Sequence, residues 1–151
     1  VGSALRRAGR LLARHTVEVA LPPDLPMLKV DAVLFEQVVF NLLDNAAKYA
    51  PPATTIAIQG WRDGNHVMLR LVDEGPGIPP EDLERVFDSF YRVRKTDHVP
   101  AGTGLGLAIC RGFVEAMGGA ILATNRADRS WAIFTIRLPV PPQTEPVKEP
   151  S

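Results

Sequence analysis

Three short constellations hold the residue types that could do chemistry. In Phe35-Glu-Gln-Val-Val-Phe-Asn-Leu-Leu-Asp-Asn-Ala-Ala-Lys-Tyr49, the residues Asn41, Asn45, Lys48 and Tyr49 recur at three- or four-residue spacing. On a helix they form one polar stripe. Amide oxygens suit Mg²⁺, lysine supplies a counter-charge for phosphate, and tyrosine offers a flat face with a polar tip. A solvated helix face would look the same. Asp73-Glu-Gly-Pro-Gly77 follows a β-rich run; a carboxylate at a strand end can accept from an exocyclic amine, and glycines let backbone approach a flat ligand. A Gly/Pro turn with an Asp cap is the plain alternative. Gly102-Thr-Gly-Leu-Gly-Leu-Ala108 is a glycine-rich turn opening onto a helix. Its backbone N–H groups and dipole would attract phosphate, although a flexible linker into a core helix has the same composition. The dinucleotide version of this pattern needs a strand before it and an acidic residue ~20 positions on. A charged loop stands there instead, which disfavours NAD.

These constellations need elements to hold them. Leu5, Ala8, Leu11 and Leu12 after Ser3 predict a helix over most of residues 3–15, with Ser3 as N-cap. Thr16 to Leu21 reads as a strand closed by the proline-rich stretch 22–26. A second helix, capped by Asp31, carries the stripe Leu34, Val38, Leu42 and Ala46, widened by Phe35, Val39 and Leu43, and must stop before Pro51. Thr54 to Trp61 and His66 to Val72 form a hairpin about the Asp63-Gly64 pair. Pro80 to Phe87 is expected as a short helix, and residues 91–103 as a mobile charged lid. Leu105 to Met117 forms a helix ending at Gly118-Gly119, with Leu107, Ile109, Phe113, Met117 and Cys110 in the core. Strands at 120–125 and 131–138 complete an α+β order, with helices on one face of a mixed, mainly antiparallel sheet. Trp61 and Trp131 are packing or strand residues. Residues 1–140 are expected as one domain and 141–151 as a disordered proline-rich tail.

Composition limits the function classes. The 151 residues carry 17 Lys+Arg against 17 Asp+Glu, so no net field favours nucleic acid or an anionic membrane. At 46% hydrophobic and 23% charged, the chain suits a soluble globular domain. One cysteine, Cys110, cannot make an internal disulfide. No apolar run reaches the ~18 residues that span a bilayer, and no signal peptide is evident. The start at Val1 is read as the cut end of a longer chain.

Taken in order, the three constellations form one ATP·Mg²⁺ site, and with that the chain resembles the catalytic and ATP-binding domain of bacterial sensor histidine kinases. The likeness runs from about Ser3 to Pro139: an N box at 41–49, a G1 box at 73–77, an F box at 87–90 and a G2 box at 102–106. The stretches 85–92 and 101–119 are most similar to the potassium-sensing, osmosensitive branch of those kinases. The resemblance implies the two-layer ATP-binding sandwich of Bergerat type shared with gyrase and MutL ATPases. It implies Asn45 as Mg²⁺ ligand, Asn41 and Lys48 near the phosphates, and Tyr49 against adenine. Asp73 would accept from the adenine amine, in a pocket shaped by Gly75, Gly77 and Ile78. Phe87 and Phe90 would anchor the lid, Arg92 would meet the γ-phosphate, and Gly102, Thr103, Gly104, Leu105, Gly106 and Leu107 would wrap the phosphates. The implied cofactors are ATP and Mg²⁺. The implied partners are a histidine-bearing dimerisation domain and a response regulator, for a monomeric domain on the cytoplasmic side of an inner-membrane sensor.

Two departures and one substitution bear on the reaction. Asp128-Arg-Ser-Trp131 stands where these kinases usually have a glycine-rich turn. None of His15, His66 and His98 has the acidic follower of a phosphoacceptor histidine, which belongs to a preceding helical domain. ATP-hydrolysing and serine-kinase members of the superfamily carry Glu four residues before the Mg²⁺-binding Asn, where this chain has Asn41. An amide cannot take a proton from water, so general-base activation is missing. Glu36 is out of helical register to replace it. The expectation is therefore phosphotransfer to an outside histidine, with a superfamily ATPase or serine kinase, or a non-catalytic ATP-binding module, as alternatives.

Overall fold

The computed structural model describes residues 2–7, 9, 12–13, 15–22, 32–51, 53–75, 77–78, 80–88, 106–126 and 131–140. Its elements are α1 (Gly2–Arg7), β1 (Thr16–Ala20), α2 (Ala32–Tyr49), β2 (Thr55–Asp63), β3 (His66–Asp73), a 3₁₀ turn (Pro80–Asp82), α3 (Gly106–Ala116), β4 (Ala120–Asn125) and β5 (Ala132–Pro139). The strands form one sheet in the order β1-β2-β3-β5-β4. β1 runs parallel to β2, from Thr16 opposite Thr55 to Ala20 opposite Gln59. The other three pairings are antiparallel.

The strict alternation of β3, with Val67, Leu69, Leu71 and Asp73 on the buried face, gives the sheet one dry side. Ile56, Ile58, Phe134, Ile136 and Leu138 extend that side across β2 and β5. Helix α2 answers it with Val38, Val39, Leu42, Leu43 and Ala46, each no more than 2% exposed. Cys110 and Val114 bring α3 into the same core. This is the two-layer mixed-sheet sandwich that the order of elements implies. Leu107, Phe113 and Met117 pack at its margin, whereas Ile109, expected in the core, is 38% exposed.

The end of α3 shows why Gly118-Gly119 stops it. Gly118 has φ +81°, its N–H donates to the Glu115 carbonyl at 3.0 Å, and the Gly119 N–H reaches back to Val114 at 2.9 Å. That bond pair is a Schellman closure. A Cβ on Gly119 would meet the Arg137 carbonyl oxygen of β5, so this position admits no side chain.

Two expected helices are shorter than the periodicity suggests. The first ends at Arg7, and the Gly9 N–H then closes a turn on the Arg6 carbonyl at 3.2 Å. Ser3 lies inside that helix and is not its cap. Gly9 interrupts the apolar pattern, and Leu12 reaches the core from a turn. The segment 80–87 is one 3₁₀ turn followed by turns, with Val86 and Phe87 buried. The hairpin loop between Asp63 and His66 is Gly64-Asn65. Asp31, the lid and the tail from residue 141 lie outside the described residues.

Candidate functional site

Asp73 is the last residue of β3 and lies on the dry face, in register between Ile56 and Ala132. It is 1% exposed. Its Oδ1 accepts the Gly75 N–H at 2.9 Å, which closes a turn directly after the strand. Burial pushes the carboxyl up to about 6, and the Gly75 hydrogen bond opposes that rise. A carboxylate at this depth is costly unless something donates to it.

The segment after Asp73 is fixed from across the sheet. Gly77 has φ +80°, a conformation that disfavours any residue with a Cβ. Ile78 sinks into the core at 8% exposure. Both backbone groups of Ile78 are held by one side chain: its N–H donates to Asn125 Oδ1 at 2.8 Å, and Asn125 Nδ2 donates to its carbonyl at 2.6 Å. Asn125 was legible only as a strand residue; its cue is an amide side chain closing the otherwise apolar and small strand 120–125.

Helix α2 places Asn41, Asn45 and Lys48 along one side, as their spacing requires. Asn41 is partly buried; its Oδ1 accepts from Gln37 Nε2 at 2.9 Å, and its Nδ2 donates to the Gly106 carbonyl at 3.4 Å. The second bond joins the helix to the first residue of α3. Asn41 also donates to the Cys110 thiol, an effect outweighed by burial, which raises that group to about 12. Lys48 Nζ pairs with Asp44 Oδ2 at 3.1 Å, one turn back. Gln37, unremarked in the motif, is the partner that sequence reasoning missed. Phe87 is 4% exposed and meets Phe134 edge-on at 6.1 Å. It belongs to the core.

Arg92, Phe90, Gly102, Thr103, Gly104, Leu105 and the Tyr49 side chain lie outside the described residues. Gly106 and Leu107 open α3 at the end of Asn41's reach. A groove on the opposite face of the sheet, lined by Glu18, Gln59, Arg70, Glu74, Arg126 and Trp131, contains none of the expected site residues.

The chain as a whole has counterparts among known proteins. The family model described as histidine kinase-, DNA gyrase B-, and HSP90-like ATPase matches residues 30–142, well over half of the chain. The chain belongs to that family. Within it, the KdpD sensor protein of Escherichia coli K12 is 43% identical over 149 residues, covering 99% of this chain and 16% of that protein. The solved mycobacterial sensor histidine kinase MprB superposes with TM-score 0.83 at 33% identity and 91% coverage of both chains. Full-length ShkA in complex with AMPPNP matches at TM-score 0.74 and 28% identity, over 91% of this chain and 29% of that one. The domain is thus a histidine-kinase catalytic domain, spanning about one-sixth of the length of the KdpD relative. Among the described residues, no helix is long and apolar enough to cross a membrane.

Proposed function

We propose that the domain binds ATP with Mg²⁺ and donates the γ-phosphoryl group to a histidine on a separate dimerisation domain, which passes it to a response regulator. We propose further that it serves potassium or osmotic signalling, as the cytoplasmic part of an inner-membrane sensor. The KdpD likeness supports that assignment. The observation that carries the nucleotide reading is Asp73, a carboxylate 1% exposed at a strand end with a glycine-shaped loop beside it. An exocyclic amine supplies the donor that this buried acceptor needs, and the purine then lies flat against backbone.

The residues also fit a metal brought by the nucleotide. Among the described residues no group of three or more His, Cys, Asp or Glu could hold one. Asn45 offers a single amide oxygen, which suits Mg²⁺ bound chiefly through phosphates and water. When bound, the ion would neutralise charge on the β- and γ-phosphoryl oxygens.

The chain's own contribution is orientation. Asn41, whose amide reaches from α2 to the start of α3, Lys48 and the turn 102–106 would hold the phosphates, with Arg92 on the γ-phosphoryl group and Tyr49 against the purine. A neutral imidazole would attack the γ-phosphorus as the bond to ADP breaks. Asn41 provides no base for water, and the Glu36 carboxylate is occupied by Arg7 at 3.4 Å, which opposes hydrolysis. Calorimetric titration with adenosine, ADP and ATP, with and without Mg²⁺, tests the reading. Binding of all three, with a Mg²⁺-dependent gain for ATP alone, is expected; failure of adenosine and ATP alike would remove it.

A further inference from the structure

Gln37 lies one helical turn before Asn41 and stands in a chain of hydrogen bonds that starts on α1. Arg7 Nη1 donates to Gln37 Oε1 at 3.0 Å. Gln37 Nε2 donates to Asn41 Oδ1 at 2.9 Å, and Asn41 Nδ2 donates to the Gly106 carbonyl at 3.4 Å. Each amide accepts on oxygen and donates from nitrogen, so the chain has one sense. Arginine has donors and no acceptor, which makes it the group that sets that sense. Arg7 is itself fixed, with Glu36 Oε2 at 3.4 Å and its guanidinium 4.1 Å over the Phe40 ring.

We propose that Gln37 is a positioning residue for Asn41: it holds the Asn41 amide so that N–H groups, and not the carbonyl oxygen, are offered at the start of α3. An asparagine amide turned end for end has almost the same shape, so packing alone does not choose between the two orientations. Electrostatics does. With the observed orientation a phosphoryl oxygen arriving beside Gly106 meets the N–H that otherwise donates to the Gly106 carbonyl at 3.4 Å, and as a charged acceptor it competes for that hydrogen; with the reversed one it meets another acceptor. Hydrogen bonds to charged groups are the stronger class, so the choice matters most for the phosphates and least for the purine. This inference rests on the reading of the site as a nucleotide site.

The decisive variant is Gln37→Glu. An ionised carboxylate accepts only, so it would draw Asn41 Nδ2 to itself, turn the amide round and strengthen the pairing with Arg7. In the full chain with Mg²⁺, Gln37→Glu is expected to bind adenosine as the wild type does while losing about tenfold or more of the ATP-over-adenosine preference. A preference equal to wild type, or an equal loss for adenosine and ATP, overturns the proposal, since a merely structural role would weaken both. If Gln37→Glu fails to fold, Gln37→Met, which removes donor and acceptor at similar volume, is read in the same way with a smaller loss. The side-chain amide signals of Asn41 in nucleotide-free protein, followed by ¹⁵N NMR, separate the two levels of the argument. Unmoved signals in Gln37→Met overturn the positioning role and leave the nucleotide reading standing, whereas a wild type that binds no nucleotide removes the nucleotide reading whatever the spectrum shows.

Discussion

Asp73 carries opposing demands. Its carboxyl titrates near 6 in the folded chain against 3.8 in the open one, so the folded state holds the proton more tightly between those values. The stability this confers is complete below pH ~4 and is lost as pH rises through about 6, leaving an ionised buried group at neutral pH. Asp73→Asn keeps an acceptor for the Gly75 N–H and discards the charge. It should raise unfolding stability at pH 7.5 by ~1 to 3 kcal/mol, the gain vanishing below pH 4, while weakening adenosine binding by ~1 to 3 kcal/mol through a mispaired amine. Urea unfolding at both pH values and titration with adenosine check the two halves; an equal stability gain at both pH values would refute the burial argument. The strand-end carboxylate was visible in the sequence because its neighbours are glycines. Its depth was not, since only the register of β3 places it on the dry face. Lys48 shows the converse: the spacing put it on the stripe, but its ion pair is made with Asp44, a residue of the same string that was assigned no role.

At the scale of elements, apolar periodicity located α2 and α3 well because each carries a long stripe against the sheet. It failed where a few apolar residues served turns. Leu12, Val86 and Phe87 are core residues in segments that are not α-helical, so spacing alone overstated the helices at 3–15 and 80–87. The Gly118-Gly119 pair was legible as a stop, but the second glycine answers to a strand that is distant in sequence. A Cβ there would lie 2.2 Å from the Arg137 carbonyl oxygen, a backbone atom with little room to retreat. Gly119→Ala should therefore destabilise the chain by ~2 to 4 kcal/mol, and Gly64→Ala, where the added Cβ has open space but φ is +61°, by ~1 kcal/mol. Denaturant midpoints of the two variants give the comparison, and equal losses would show that the β5 backbone yields to the added Cβ and refute the contact argument for Gly119.

For the whole molecule, the sandwich followed from the order of helices and strands, whereas the neighbour relations β3-β5 and β1-β2 join segments far apart in the chain and have no local signature. The activity expected of the intact domain is correspondingly incomplete. His66 pairs with Pro139 at the hairpin end and His15 Nε2 lies 3.3 Å from the Ala50 carbonyl; neither stands on a helix with an acidic follower. Tested alone, the chain should be monomeric, turn over ATP barely and incorporate no label from γ-labelled ATP. A histidine-bearing helical domain added in trans should become labelled slowly, because an untethered encounter lacks the effective concentration of a linker. Arg92→Ala should slow that labelling more than it weakens ADP binding. Rapid turnover or labelling by the chain alone would favour the ATPase or serine-kinase alternative. The Asn125 clamp has a consequence for motion. Among the described residues β4 ends the strand order and pairs with β5 alone, so its last rung is where fraying of the sheet would begin, and that rung carries the two hydrogen bonds to Ile78. On the proposed nucleotide reading, a purine seated beside Ile78 opposes fraying of this sheet margin: at adenosine 100 times Kd, amide deuterium uptake at the Asn125 end of β4 should slow up to about 100-fold, while the Ala120 end changes little.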